Sequence, residues 1–149
     1  MLIRPMEPED IKAVAAIESQ SFSMPWSQNG FMEALKMEHN IILVADEDGE
    51  ILGYECTYVS FEEGELTNIA VKKEFRRSGI GQLLIRELQK RAASSGVERI
   101  VLEARESNDA AIGLYEKMGF AKLGIRKNFY EKPVENAVIL SYTAEDYRC

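Results

Sequence analysis

The stretch EFRRSGIGQLLIREL, residues 74–88, sets two arginines and a serine ahead of Gly79-Ile80-Gly81 and runs at once into an amphipathic helix. Glycines let a backbone approach a ligand closely, and successive N–H groups can form a nest. A helix N-terminus adds about half a positive charge. The chemistry on offer is anion binding. Two common versions of it do not fit. The nucleoside-triphosphate loop needs GxxxxGK followed by Ser or Thr, and no such run occurs. The dinucleotide fingerprint needs a third glycine where Leu84 stands. What remains, Arg76-x-x-Gly79-x-Gly81, suits an anion site or an ordinary tight strand-to-helix turn.

Other reactive groups are sparse. His39, the only histidine, lies in the polar segment KMEHN and reads as a surface residue. Without a cysteine or serine signature beside it, a nucleophilic triad is not supported. Cys56 falls in a strand pattern as a small core residue, and Cys149 reads as a tail residue. The pair has no metal-ligand spacing and makes no disulfide framework, so no metal is expected.

The elements that must position the loop can be read along the chain. With 149 residues and 46% hydrophobic content, it is expected to form one domain, 1–149, with a core of its own. No apolar run approaches a membrane span, and the N-terminus is charged where a signal peptide is apolar, so a cytoplasmic protein is expected. The net charge of −7 argues against a nucleic-acid partner. MLIRP reads as a strand, and PEDIKAVAAIESQSF as a helix with Ile11, Val14, Ala15 and Phe22 at helical spacing. SMPWS is a turn and QNGFMEALKME a shorter helix. Residues 40–73 give three strands, with hairpin turns expected at Asp48-Gly49 and Glu63-Gly64. Ile80, Leu84, Leu88 and Ala92 mark one face of a long helix that stops near Gly96. VERIVLEAR is a strand. SNDAAIGLYEKMGF is a helix capped by Ser107 or Asn108 and stopped by Gly119. AKLGIRKNFY and ENAVILSYT close the chain as a hairpin. The order β-α-α-β-β-β-α-β-α-β-β predicts a mixed α/β domain on one sheet, mostly antiparallel, and not a doubly wound dinucleotide fold.

Taken together, ELTNIAVKKEFRRSGIGQLLI and VLEARESNDAAIGLYEKMGF closely resemble the GNAT superfamily of acetyl-CoA-dependent N-acetyltransferases. Arg76, Gly79 and Gly81 match its R/Q-x-x-G-x-G/A loop. LEARESN matches L-E-V-R-x-S-N with Ala104 in place of valine, and AIGLYEKMGF matches A-x-x-L-Y-x-K-x-G-F. MPWS with Phe31 matches a narrower group within the superfamily. The resemblance implies the GNAT fold and acetyl-CoA as cosubstrate, the anion being the pyrophosphate of coenzyme A. It implies that the backbone of Ile69, Ala70 and Val71 pairs with the pantetheine arm as an added strand would. It also implies that N–H groups of Arg77, Ser78, Gly79, Ile80, Gly81 and Gln82 hold the pyrophosphate. Arg76 and Arg77 either add charge or are solvated loop cations. Asn108 would bond the cosubstrate, cap its helix, or do both.

The transfer itself joins an amine to a thioester carbonyl. At pH 7 an α-amine is about 15% neutral and a lysine about 0.04%, which favours an N-terminal acceptor by a few hundredfold, roughly. A base must take the proton and an acid must protect the leaving thiolate. By the family match Glu103, at the end of RIVLE, is the base, acting through one or two waters. Tyr115 is the acid, with an ordinary pKa of about 10 near that of an aliphatic thiol. Outside the match, Glu103 would be a strand-edge charge and Tyr115 a core residue. Met24, Pro25, Trp26 and Tyr130 are expected to wall the acceptor site, with Trp26 alternatively a core anchor. The resemblance implies the N-terminal peptide of a ribosomal protein as partner, its first residue alanine. A lysine or small-molecule amine is the alternative acceptor, and a non-catalytic coenzyme-A-binding module the alternative class.

Overall fold

The structure is a computed structural model and describes residues 1–144; Cys149 lies outside the described residues. The elements run β1 (Leu2–Pro5), α1 (Ile11–Ser21), α2 (Gln28–Leu35), β2 (Ile41–Glu47), β3 (Glu50–Ser60), β4 (Glu63–Val71), α3 (Ile80–Ser94), β5 (Arg99–Arg105), α4 (Asp109–Lys117), β6 (Ala121–Tyr130) and β7 (Glu135–Thr143). This is the order predicted from the sequence. The seven strands form one sheet in the order β1-β2-β3-β4-β5-β7-β6. Only β4 and β5 pair parallel; every other neighbouring pair is antiparallel.

Both faces of the sheet are covered, which explains the unbroken apolar run in β2. Its residues divide by alternation. Leu43 and Ala45 face α3, where they join Leu52, Leu66, Leu84, Leu88, Leu102 and Leu140. Ile42 and Val44 face α1 and α2, with Val14, Phe31, Tyr54 and Cys56. Cys56 is thus the core residue expected. On α3 the predicted face of Ile80, Leu84, Leu88 and Ala92 is buried throughout. Ser27 caps α2 by accepting from the Gly30 N–H. Asp10, held by Arg4 of β1 at 2.8 and 2.9 Å, ties the start of α1 to the sheet.

Two local expectations are corrected. The second hairpin turn falls at Phe61-Glu62, and Glu63 and Gly64 already pair in β4 with Ser60 and Val59. Glu-Gly resembled turn chemistry, but the register of the apolar side chains outweighs it. Phe22 does not continue the buried face of α1. It takes an extended backbone as the helix ends and is exposed, while Ile17 and Glu18 complete that face.

Leu84 has no exposed surface at the centre of the α3 face. Leu84→Ala is expected to lower the unfolding free energy by about 2–5 kcal/mol in urea titration, as transfer and cavity terms add.

Candidate active site

The parallel pairing of β4 with β5 ends at Leu66 opposite Leu102. Both strands continue, β4 to Val71 and β5 to Arg105, so an unpaired edge opens between them. On its other side β4 remains bonded to β3. The Lys72 N–H donates to the Leu52 carbonyl at 2.7 Å. Antiparallel alternation then turns Ala70, opposite Tyr54, toward β3, and leaves the N–H and C=O of Ile69 and Val71 facing the opening. Two of the three predicted residues offer their backbone to an added strand. Ala70 does not, because its groups are already committed to Tyr54.

The glycine loop follows directly. Arg77 (φ 64°) and Gly79 (φ 88°) both take left-handed backbone on either side of Ser78. This alternation turns successive N–H groups toward one concavity. Among the described residues, no N–H from Arg77 to Gln82 has a protein acceptor. These groups include the orphan donors of the α3 N-terminus. Gly81 packs closely for another reason: a Cβ there would stand 3.1 Å from Leu114 Cδ2 of α4, so that leucine would have to shift by a few tenths of an ångström. Arg76 is not a free loop cation. It donates from Nε to the Val71 carbonyl at 3.0 Å and from Nη2 to Ser21 Oγ at 3.2 Å, bridging the end of β4 to α1.

Beside the β4–β5 opening lies a cleft of about 640 Å³. Glu103, Asn108 and Tyr115 line it together with Ile69. So do Met24, Trp26 and Tyr130. Pro25 does not line it, contrary to expectation; it is exposed in the loop between its two neighbours. The Arg76–Gln82 loop also lies outside the cleft walls. Asn108 caps α4 by accepting from the Ala111 N–H at 3.2 Å and borders the cleft as well. Trp26 packs on Phe31 (5.2 Å) and Tyr58 (6.1 Å) and also borders the cleft.

The titrating groups carry the marks of burial. Glu103 is held above the ordinary glutamate value by desolvation, opposed by the Arg126 guanidinium and reinforced by Glu65. Tyr115 is pushed well up by burial and by nearby Tyr130. It therefore presents a neutral O–H donor, and the match to a thiol pKa expected from the sequence does not describe the buried phenol. Tyr130 is pushed up to about 12, by burial first and the charge of Glu103 next, with Arg105 acting the other way.

Two groups escaped the sequence reading. Glu18, 2% exposed, borders the cleft from α1. It accepts from the Trp26 N–H at 3.0 Å, from the Tyr54 hydroxyl, and from Asn68 Nδ2 at 3.1 and 3.2 Å. One carboxylate thus joins α1, the Trp26 loop, β3 and β4. Its signal was an acid at an apolar position of a helix, four residues after Val14. Arg105 is the second. Its guanidinium donates to the carbonyls of Glu131 and Pro133 and to Glu135, and lies 4.5 Å from the Tyr130 ring centre. It thereby fixes the β6–β7 connection against the cleft.

This arrangement recurs in known proteins. Residues 11–120 match the model of the acetyltransferase (GNAT) family. A Bacillus subtilis relative is 37% identical over 145 residues, covering 97% of this chain and 96% of the relative. The ribosomal protein bS18-alanine N-acetyltransferase of Haemophilus influenzae is 36% identical, covering 94% and 97%. The crystal structure of the ribosomal-protein-S18-alanine N-acetyltransferase from Escherichia coli superposes with a TM-score of 0.89 at 32% identity, covering 96% of this chain and 93% of that one. The chain belongs to the GNAT family of acetyltransferases. It is an acetyl-CoA-dependent N-acetyltransferase with a mixed seven-stranded sheet of the family's form.

Removing the Glu18 carboxylate strands the Tyr54 hydroxyl, the Asn68 amide and the Trp26 N–H. Glu18→Ala is expected to cost roughly 2–4 kcal/mol in denaturant unfolding, and Glu18→Gln less, because one acceptor oxygen remains.

Proposed function

We propose that this chain transfers the acetyl group of acetyl-CoA to the α-amino group of a protein N-terminus, the favoured acceptor being the N-terminal alanine of a small-subunit ribosomal protein. In this reading residues 1–149 act as one catalytic domain in the cytoplasm. The supporting observation is the cleft itself, which has Glu103 on one wall, Tyr115 on another, and the open β4 edge between them and the glycine nest. The names of the Haemophilus and Escherichia coli relatives support the choice of acceptor.

The residues divide the work. The carbonyl and N–H of Ile69 and the N–H of Val71 take the extended pantetheine arm as a strand is taken by an edge, the Val71 carbonyl being held by Arg76. The N–H groups of Arg77 to Gln82 take the pyrophosphate, with the α3 N-terminus behind them. Asn108 bonds the cosubstrate near its thioester end. Glu103 receives the proton of the acceptor amine through one or two waters. Its raised pKa brings the base closer to neutral pH, so less driving force is lost in that transfer. Tyr115 keeps its proton to high pH and donates it to the departing sulfur. Met24, Trp26 and Tyr130 wall the acceptor.

Peptides differing only in their first residue are the direct test. An alanine-first peptide is expected to be acetylated on its α-amine. A peptide with a blocked N-terminus is expected to remain unmodified, and acetylation of its lysines would overturn the proposed acceptor. Tyr115→Phe is expected to lower kcat roughly a hundredfold or more while acetyl-CoA binding, followed by calorimetry, is retained. Because Glu103 titrates above an ordinary glutamate, the acid side of kcat/KM is expected to show a second break above the value of about 4.3 for a free side chain, below the break of the acceptor amine itself; Glu103→Gln should remove the lower break and leave the amine's.

A further inference from the structure

Arg126 stands on β6, two strands away from Glu103 on β5, with β7 between them. Glu103 lies opposite Ile139 of β7, and Ile139 lies opposite Gly124 of β6. Gly124 carries no side chain, so the arginine two residues further along the same face can reach over β7. Its Nη1 lies 3.3 Å from Glu103 Oε2. The contact is not aligned as a hydrogen bond: Oε2 is buried without a hydrogen-bond partner. Arg126 is 59% exposed on its side chain, Glu103 only 19%. The Phe129 ring, 5.4 Å from the guanidinium, flanks the arginine on its own strand.

We propose that Arg126 is a positioning residue of the transfer reaction, holding the Glu103 carboxylate in the cleft wall by charge while leaving its directed hydrogen-bonding capacity to the acceptor. This rests on the reading of Glu103 as the base and adds how that base is kept usable. Glu103 faces Glu65 from β4, a like charge that favours its protonated form. From β6 it faces Arg126 and the neutral phenol of Tyr130. From β7 it meets Ile139, which has no charge. On its own strand Arg105 is occupied by Glu135 and the β6–β7 connection. Arg126 is therefore the cation that offsets burial and Glu65. An aligned arginine–carboxylate bond would occupy the lone pairs that the water or amine must use; a loose contact from an exposed side chain does not.

The test follows the Glu103 carboxyl directly, by carbon-detected NMR titration in the intact protein, with Glu103→Gln giving the assignment. In Arg126→Gln the Glu103 midpoint is expected to rise by roughly half a pH unit or more, and in Arg126→Lys to stay near the wild-type value. The lower, Glu103-dependent break on the acid side of kcat/KM for an alanine-first peptide should rise by the same amount in Arg126→Gln, while the KM for acetyl-CoA is retained. An unchanged carboxyl midpoint in Arg126→Gln would overturn the proposal. A raised midpoint with an unmoved Glu103-dependent break would also overturn it as a feature of the reaction. A wild-type enzyme that leaves every peptide N-terminus unmodified would instead remove the proposed acceptor, and the carboxyl titration would still decide whether Arg126 holds Glu103.

Discussion

The active cleft depends on one interrupted interaction, the parallel pairing of β4 with β5. It holds from Glu63 opposite Arg99 to Leu66 opposite Leu102 and then stops while both strands run on. Within a continuous sheet the backbone groups of Ile69 and Val71 would be spent on a neighbouring strand. Where the strands part they bond no neighbouring strand: Ile69 borders the cleft with Glu103 and Tyr115, and the Val71 carbonyl is met by Arg76 Nε. An unpaired edge inside a protein has a cost unless a ligand or water meets it.

The parting is braced from several directions. Glu18 collects donors from the Trp26 loop, β3 and β4, so that loop and the open strand share one anchor. Arg76 spans from the Val71 carbonyl to Ser21, closing the far end of the β4 edge onto α1. Arg105 and Glu135 hold the opposite wall, and Glu135 also accepts from the Ser107 N–H at the start of the turn into α4. Four polar side chains thus carry positions that the apolar core cannot, because the cleft interrupts the core where it lies.

Burial gives the two candidate proton-transfer groups their different characters. A carboxyl shielded from water is a stronger base than a free one, and a shielded phenol a weaker acid. Glu103 and Tyr115 follow that rule in opposite senses: burial makes the carboxyl readier to receive a proton and the phenol readier to keep its own. The exposed Arg126 moderates the first without being buried with it.

The sequence alone determined the order of elements, the apolar faces of α3 and β2, the cap of α4 at Ser107 or Asn108 and the glycine turn into α3. These rest on local periodicity and on residue types that few other environments require. It misplaced the second hairpin turn and the reach of α1, where nearby residues carried signals that long-range packing overruled. It also could not see Glu18 or Arg105 at work, because their partners stand up to 50 residues away. Which of Ile69, Ala70 and Val71 faces the cleft was decided by the bonding register with β3, and whether Arg76 is free by a contact with α1. The parting of β4 from β5 was likewise left to the tertiary structure. Neither strand announces where its pairing ends, since an edge is a property of two segments and the space between them.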